Sequence, residues 1–502
     1  MKGKVYLIGA GPGDASLITL KGLQCIKEAD VIVYDRLASD SLLEEAKENC
    51  EFIYVGKKSK DHTKTQDEIN EIIYKEALSG KIVARLKGGD PYVFGRGGEE
   101  GEYLVERNIP FETVPGVTSS IGGLAYAGIP ITHRDYASSF HVITGHLKDE
   151  SEELNWEALA SLRGTLVFLM GVSNLKRICD RLMENGKDED TPVAIVNWAT
   201  TSYQKVVEGN LSNIYEKAIK EKITPPSLIV VGQVVKLRKK LNFFEEKLLF
   251  GKAIVVTRTK AQKKEFVNEL KKLGATAYEF PTIEIDEISP NLELDSAIEN
   301  IDKYTHILLT SVNGANIFFK KLFSLGYDAR KLGEVKIGAI GPKTGKTIEK
   351  YGVRPDFIPE EHVSEALIKD LKKVLTEKDK VLVPRAKNAR PYLVREISKI
   401  CDVDEVKTYN TIKGINKAEK LIKFLKDKKD FYLTFTSPST FNNFVEILGD
   451  DSSDILNRGK ILSIGPITSN TIREKGYEVY GEAEEYTVDG LIELLVKEGE
   501  KQ

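Results

Sequence analysis

The second half of this chain repeats itself. HILLTSVNGANIFF (306–319) leads into VKIGAIGPKTGKTIEKYG (335–352), and FYLTFTSPSTFNNF (431–444) leads into KILSIGPITSNTIREKG (460–476). Thr310-Ser311 answers Thr436-Ser437, Gly341-Pro342 answers Gly465-Pro466 and Gly352 answers Gly476, at an offset of about 125 residues. Each copy sets its Thr-Ser pair at a strand-to-helix turn and is followed by a further helix, from Val363 and from Val488. Such a repeat demands two similar α/β lobes, and lobes that face each other leave a cleft suited to a ligand.

The first half follows another rhythm. KVYLIGA (4–10), ADVIVYD (29–35), EFIYVGK (51–57) and KIVARL (81–86) read as strands. Thr19–Ala29 reads as a helix with Leu20, Leu23 and Ile26 on one face. Thr65 and Glu68 have capping-box spacing ahead of Ile69, Ile72 and Ile73 on the next helix. This βαβ alternation predicts a parallel sheet covered by helices. A second block starts near VPGVTSS (114–120), with strands at FHVITG (140–145), TLVFLMG (165–171) and SLIVVG (227–232). At 243–250 a charged helical stretch runs up to Gly251 and a new strand, so this segment reads as a short linker.

With 30% charged and 41% hydrophobic residues and a formal net charge of −3, the composition is that of a soluble globular protein. It gives no pull toward nucleic acid or an anionic membrane. No stretch approaches the roughly 18 apolar residues of a membrane span. The first residues enter a strand and not a signal sequence. Cys25, Cys50, Cys179 and Cys401 are far apart and form no C-x-x-C pair. A cytoplasmic location is therefore expected. The six histidines have no metal-ligand spacing, and no metal is expected.

Two glycine-rich loops carry the chemistry. GAGPGD (9–14) follows the first strand, and Asp35 ends the second, where the ribose-binding acid of a dinucleotide site would stand. Position 14, however, holds Asp14 and not the third glycine of that fingerprint. A carboxylate there repels a pyrophosphate, and Pro12 removes an amide donor. This loop alone leaves a dinucleotide site and a plain structural turn both open. The second loop, RLKGGDPYVFGRGGEE (85–100), lacks the P-loop pattern. Its Gly88 and Gly89 permit close backbone approach to a ligand, and Asp90 can accept hydrogen bonds from it.

GAGPGD, YDRL, VGK, RLKGGDPYVFGRGGEE, VPGVTSS, AGIPITHRDYASS, ITGH and TLVFLMG occur in this order. Together they resemble the uroporphyrinogen-III C-methyltransferase family over about residues 1–240. AIVVTR, FPTIEI, LLTSVNGANIFF, IGAIGPKT, VLVPRAKNAR, VKTYNT, FTSPST and IGPIT resemble the uroporphyrinogen-III synthase family over about 251–502. The resemblance implies an α/β chain, a two-lobed tetrapyrrole methyltransferase fold (1–242, lobes about 1–114 and 115–242) followed by a two-lobed synthase fold. In the synthase half it groups 251–283 with about 410–502 around an inserted lobe at 286–407.

By the same resemblance, S-adenosylmethionine is the methyl donor. It would be held by Pro12, Gly88, Gly89, Asp90, Val93, Thr118, Ser119, Met170 and Ala199. Asp35 would be the proton acceptor and Lys57 the proton donor. The tetrapyrrole substrates carry acetate and propionate arms, which Arg36, Arg85, Lys87, Arg96 and Arg134 beside the motifs suit. In the synthase half Thr310, Ser311, Thr436 and Ser437 offer hydroxyls and helix N-terminal amides to such arms. Tyr409 matches the family's cleft tyrosine. The expected product is precorrin-2, made by a homodimer that associates through the methyltransferase half, with no nucleic-acid or membrane partner. A methyltransferase joined to a non-catalytic tetrapyrrole-binding half is the alternative.

Overall fold

The computed structural model describes residues 3–36, 39–56, 64–145, 154–258, 260–360, 364–414, 418–426, 428 and 430–500. The chain forms two compact units. One comprises Met1–Lys252, Leu270–Thr276 and Glu498–Gln502, and the other Ala253–Glu269 and Ala277–Lys497.

The first unit holds two five-stranded sheets. The first consists of β1 (Lys4–Gly9), β2 (Val31–Tyr34), β3 (Glu51–Tyr54), β4 (Ile82–Lys87) and β5 (Phe111–Val114) in the order β3-β2-β4-β1-β5. All its pairings are parallel. A parallel sheet is covered on both faces, so its strands are apolar on both sides. Val5 and Leu7 of β1 accordingly pack with Val31, Val33 and Ile73, while Ile8 packs on the other face with Ile26, Ala84 and Leu86.

The helix Gln66–Leu78 has the capping box that the sequence predicts. Glu68 N donates to Thr65 Oγ1, and Thr65 N donates to a Glu68 carboxylate oxygen. The helix Leu20–Glu28 differs from expectation, because it buries Gly22, Cys25 and Ile26 and leaves Leu20 88% exposed. Gly22 sets that phase. A Cβ on it would lie 3.1 Å from Ile8 and Ile18 side-chain atoms, so this is the face that meets the strand.

The second sheet consists of β6 (Phe140–Thr144), β7 (Thr165–Leu169), β8 (Pro192–Asn197), β9 (Lys205–Asn210) and β10 (Ser227–Val231), in the order β6-β7-β10-β8-β9. Only β6 and β7 are parallel. The sequence reading did not include β8 and β9.

Residues 243–250 are not a bare linker. Phe244 and Leu249 are buried, and the Phe244 ring lies 4.7 Å from that of Tyr126. Glu245 accepts hydrogen bonds from Arg238 at 2.6 Å and from Gln204 at 2.8 Å. Gln204 in turn accepts from Thr200 N at 2.9 Å, and Thr200 Oγ1 accepts from Asp14 N at 3.0 Å.

The second unit also holds two sheets. β11 (Ala253–Val256), β12 (Thr276–Glu279), β18 (Phe431–Phe435), β19 (Lys460–Ser463) and β20 (Gly481–Glu482) are ordered β12-β11-β18-β19-β20. β13 (Ile283–Glu287), β14 (His306–Leu309), β15 (Lys336–Ala339), β16 (Lys380–Ala386) and β17 (Asp402–Lys413) are ordered β13-β17-β16-β14-β15. The return of the chain to the first of these sheets thus lies beyond 413 and not near 410, because β17 stays paired with β13 as far as Lys413.

The repeat is visible residue by residue. β14 and β15 are parallel neighbours in one sheet, and β18 and β19 in the other. Ser311 and Ser437 cap the helices Val312–Ser324 and Pro438–Leu448. Gly341 and Gly465 precede Pro342 and Pro466 at the first position of the next helices. Gly352 and Gly476 both have φ of +84°.

Candidate active site

In the first unit the loops after β1, β2, β3, β4 and β5 all reach one cavity of about 810 Å³. Open α/β sheets bind ligands at these carboxyl ends. The two glycine-rich loops are tied together there. Gly11 N donates to Gly89 O at 3.2 Å, and Gly89 N donates back to Gly11 O at 2.7 Å. Both glycines have positive φ, +79° and +69°. Gly9 and Gly116 cross so closely that a Cβ on Gly9 would lie 2.5 Å from the Gly116 Cα. Asp90 organises this crossing. Its Oδ2 accepts from Gly116 N at 3.0 Å, and its Oδ1 from Tyr92 N at 2.8 Å. Asp14 caps the short turn Ala15–Leu17 and accepts a hydrogen bond from Tyr126 OH at 2.8 Å. Burial and the Asp14 charge push the Tyr126 phenol well above its usual range.

Pro12, Gly88, Gly89, Asp90, Val93, Thr118, Ser119, Met170 and Ala199 all line this cavity, together with Asp35, Arg36, Arg85, Lys87 and Arg96. Arg134 and His133 are not part of the lining. His133 belongs to a local turn in which its Nδ1 accepts from Asp135 N at 3.1 Å. Lys57 lies outside the described residues.

Arg85 and Lys87 are buried on β4, and each donates to Glu100 Oε1, at 3.2 and 2.7 Å. Arg85 NH2 lies 3.5 Å from Asp35 Oδ2. Burial, with the Arg85 charge beside it, lowers the Lys87 ammonium below the usual lysine range.

Several lining residues have no counterpart in the sequence reading. Trp198 stands 5.7 Å from the Arg36 guanidinium, and Phe94, Gln66 and the Pro225-Pro226 pair also contribute. Backbone conformation marks the same place. Among the described residues seven non-glycine residues have positive φ, and Phe94, Arg96, Met170 and Trp198 of these line the cavity. A non-glycine residue in that region is costly and persists where the surroundings hold it.

In the second unit Ser311 Oγ accepts from Gly314 N and lies 3.0 Å from the hydroxyl of the buried Tyr409. Thr310 precedes this cap. Thr436 and Ser437 stand at the equivalent turn after β18, where Ser437 Oγ accepts from Thr440 N at 3.2 Å. The structure therefore joins Tyr409 to the first pair, with the second pair on the other sheet. Arg385, buried at the end of β16, is paired with Glu405 at 2.5 Å and was not singled out in the sequence, although VLVPRAKNAR contains it. Among the described residues no helix is long and apolar enough to cross a membrane, and no cluster of three metal-ligating side chains exists.

Comparison with known proteins gives a consistent result. Residues 4–215 match the family described as Tetrapyrrole (Corrin/Porphyrin) Methylases, and residues 264–493 match Uroporphyrinogen-III synthase HemD. The porphyrin biosynthesis protein HemD of Ruminiclostridium josui is 41% identical over 499 residues, which is 99% of this chain and 98% of that protein. A uroporphyrinogen-III C-methyltransferase of Bacillus subtilis (strain 168) is 42% identical over 361 residues, 70% of this chain and 74% of that one. Among solved structures, the uroporphyrin-III C-methyl transferase of Thermus thermophilus complexed with S-adenyl homocysteine is 41% identical, covers 47% of this chain and 100% of its own, and has a TM-score of 0.41. With two α/β halves in this order and near end-to-end similarity to a HemD protein, the chain belongs to the family of fusions that join a tetrapyrrole methylase to a uroporphyrinogen-III synthase.

Proposed function

We propose that the chain is a bifunctional enzyme of tetrapyrrole biosynthesis. The second unit closes hydroxymethylbilane to uroporphyrinogen III with inversion of ring D. The first unit methylates that product twice with S-adenosylmethionine to give precorrin-2. A homodimer in the cytoplasm, joined through the methyltransferase half, completes the reading. The observation that supports it most is that the nine residues expected to hold the donor share one cavity with Asp35 and Arg36.

The residues present fit such a donor. Gly11 and Gly89 expose bare backbone to the cavity, Asp90 and Thr118 add polar atoms, and Met170 and Leu228 give an apolar wall. When bound, S-adenosylmethionine supplies an electrophilic sulfonium methyl group. The glycine loops and the wall of Met170 and Ala199 hold and orient the donor, and orientation of two reactants is worth about 7–11 kcal/mol. Asp35 accepts the proton released when a pyrrole carbon is methylated, with Arg85 beside it. Lys57 acts as the proton donor. Arg36 and Arg96 pair with the acidic arms of the substrate.

In the second unit, Thr310, Ser311, Thr436 and Ser437 hold carboxylate arms at two helix N-termini, and Tyr409 stands beside the first. Ring closure follows from how that unit folds the linear substrate.

The test is an anaerobic incubation of the purified full chain with hydroxymethylbilane, with and without S-adenosylmethionine, followed by oxidation and isomer separation. Isomer III without the donor, shifting to a dimethylated product with it, supports both activities. Isomer I alone assigns the second unit a non-catalytic, tetrapyrrole-binding role. Failure to methylate supplied uroporphyrinogen III overturns the reading of the first unit.

A further inference from the structure

Glu100 lies outside every role assigned above. It is the fourth residue of the helix Gly97–Glu106, and its side chain is wholly buried. One oxygen, Oε1, takes three donors: Lys87 Nζ at 2.7 Å, Arg85 Nε at 3.2 Å and Gln66 Nε2 at 3.2 Å. The other, Oε2, is buried with no hydrogen-bond partner among the described residues. Arg85 and Lys87 are two apart on β4, so their side chains leave the same face of the sheet, directly toward this carboxylate.

Stability does not account for this cluster. Desolvating a carboxylate and two cations commonly costs as much as their attraction returns, and an apolar trio of equal volume packs at least as well. The arrangement does fix one object, the Arg85 guanidinium. Glu100 holds its Nε. The carbonyls of Leu86 and Val33 accept from NH1 at 3.0 and 3.4 Å. NH2 is then directed at Asp35 Oδ2, 3.5 Å away.

We infer that Glu100 is a positioning residue for methyl transfer: by fixing the plane of Arg85 it fixes the carboxylate of Asp35 at the cavity wall. The charges agree with this. Glu100 supplies one negative charge against the two cations Arg85 and Lys87, and Asp35 supplies the second. Burial and the neighbouring Arg85 charge lower the Lys87 ammonium, as expected where a single carboxylate is shared. The inference rests on the proposed methylation and deepens it.

The test uses the full chain with Glu100→Gln and Glu100→Asp. Glu100 is not among the residues that line the cavity, so the affinity for S-adenosylhomocysteine, measured by calorimetry, stays within about twofold of wild type, as do both KM values. The kcat of methylation falls about 10- to 100-fold in Glu100→Gln, the scale of a misplaced reacting group. Glu100→Asp keeps the charge but shortens the reach, so its loss is smaller. Retained S-adenosylhomocysteine affinity reports that the first unit is folded, and synthase activity reports the same for the second. Should Glu100→Gln not fold, the kcat of Glu100→Asp decides alone. A folded variant with kcat within about twofold of wild type, or a loss confined to KM, overturns the inference. A wild-type chain that binds no donor and methylates nothing instead overturns the reading on which it rests.

Discussion

The first unit gathers buried charge and strained backbone around its cavity, whereas the second sets hydroxyl-capped helix starts at matching places on two sheets. Among the described residues, all seven non-glycine residues with positive φ lie in the first unit and none in the second. The first also buries Arg85, Lys87 and Glu100 against one another beside the cavity. In the second, Ser311 and Ser437 satisfy amides of the helices they begin. The contrast separates two ways of making a site. One spends folding energy on holding a few groups in fixed geometry, as proton transfer requires. The other places neutral hydroxyl caps at two helix starts, with Tyr409 beside the first.

The sharpest way to break this contrast is to remove the proposed proton acceptor from the first unit. Asp35→Ala lowers methylation kcat by about 10²–10⁴-fold, the usual worth of a positioned base, and leaves isomer III formation from hydroxymethylbilane unchanged. Equal loss of both activities in that variant would erase the distinction between the units.

A smaller effect tests whether the two repeats are equivalent. Ser311→Ala and Ser437→Ala each remove an N-cap and lower stability by about 1 kcal/mol, read from denaturant midpoints. Ser311→Ala costs the more, because it also strips the buried Tyr409 hydroxyl of its partner.

The smallest effect concerns His306, at the start of β14. Burial lowers its pKa below the ordinary 6.5, with Asp379 opposing only in part. The unfolded chain therefore binds the proton more readily than the folded one. The stability held by the neutral imidazole is complete above about pH 6.5 and declines as the pH falls from there. His306→Phe makes the thermal midpoint less sensitive to acid over that range, and an unaltered pH dependence would show that His306 does not govern it.

The fold was legible where local signals and packing agree. The β-α alternation of the first sheet, the Thr65 capping box and the duplicated strand–turn–helix units all follow from short-range residue patterns. Leu20 misled because hydrophobic periodicity does not say which face a glycine will press against a strand, and Gly22 decides that here. β8 and β9 pair antiparallel as sequence neighbours, but β8 (PVAIVN) is buried at every position and shows no strand alternation, and β9 (KVVEGN) is an edge strand interrupted by Glu208 and Gly209. The candidate cavity was largely written in the two glycine-rich strings. Trp198 was not, since it reaches the cavity from the other sheet. Glu100 stood in plain view within GRGGEE, but only the phase of the helix separates it from the exposed Glu99.

The hydrogen bonds that run from Asp14 through Thr200 and Gln204 to Glu245 bear on how this protein can be cut. A fragment ending at the sequence boundary, residue 242, would strip the buried Gln204 and Arg238 of a shared acceptor and uncover the Tyr126 ring. Each lost hydrogen bond to the Glu245 carboxylate costs about 1.5–3 kcal/mol, so the first half cut at 242 is less stable, while Gln204 keeps Tyr126 O and Arg238 keeps Glu208 and Ala127 O as acceptors. Fission of the gene, or its division for expression, has to keep the residues through Leu249 with the first half. The segment that reads as spacer in the sequence is an integral part of the first module.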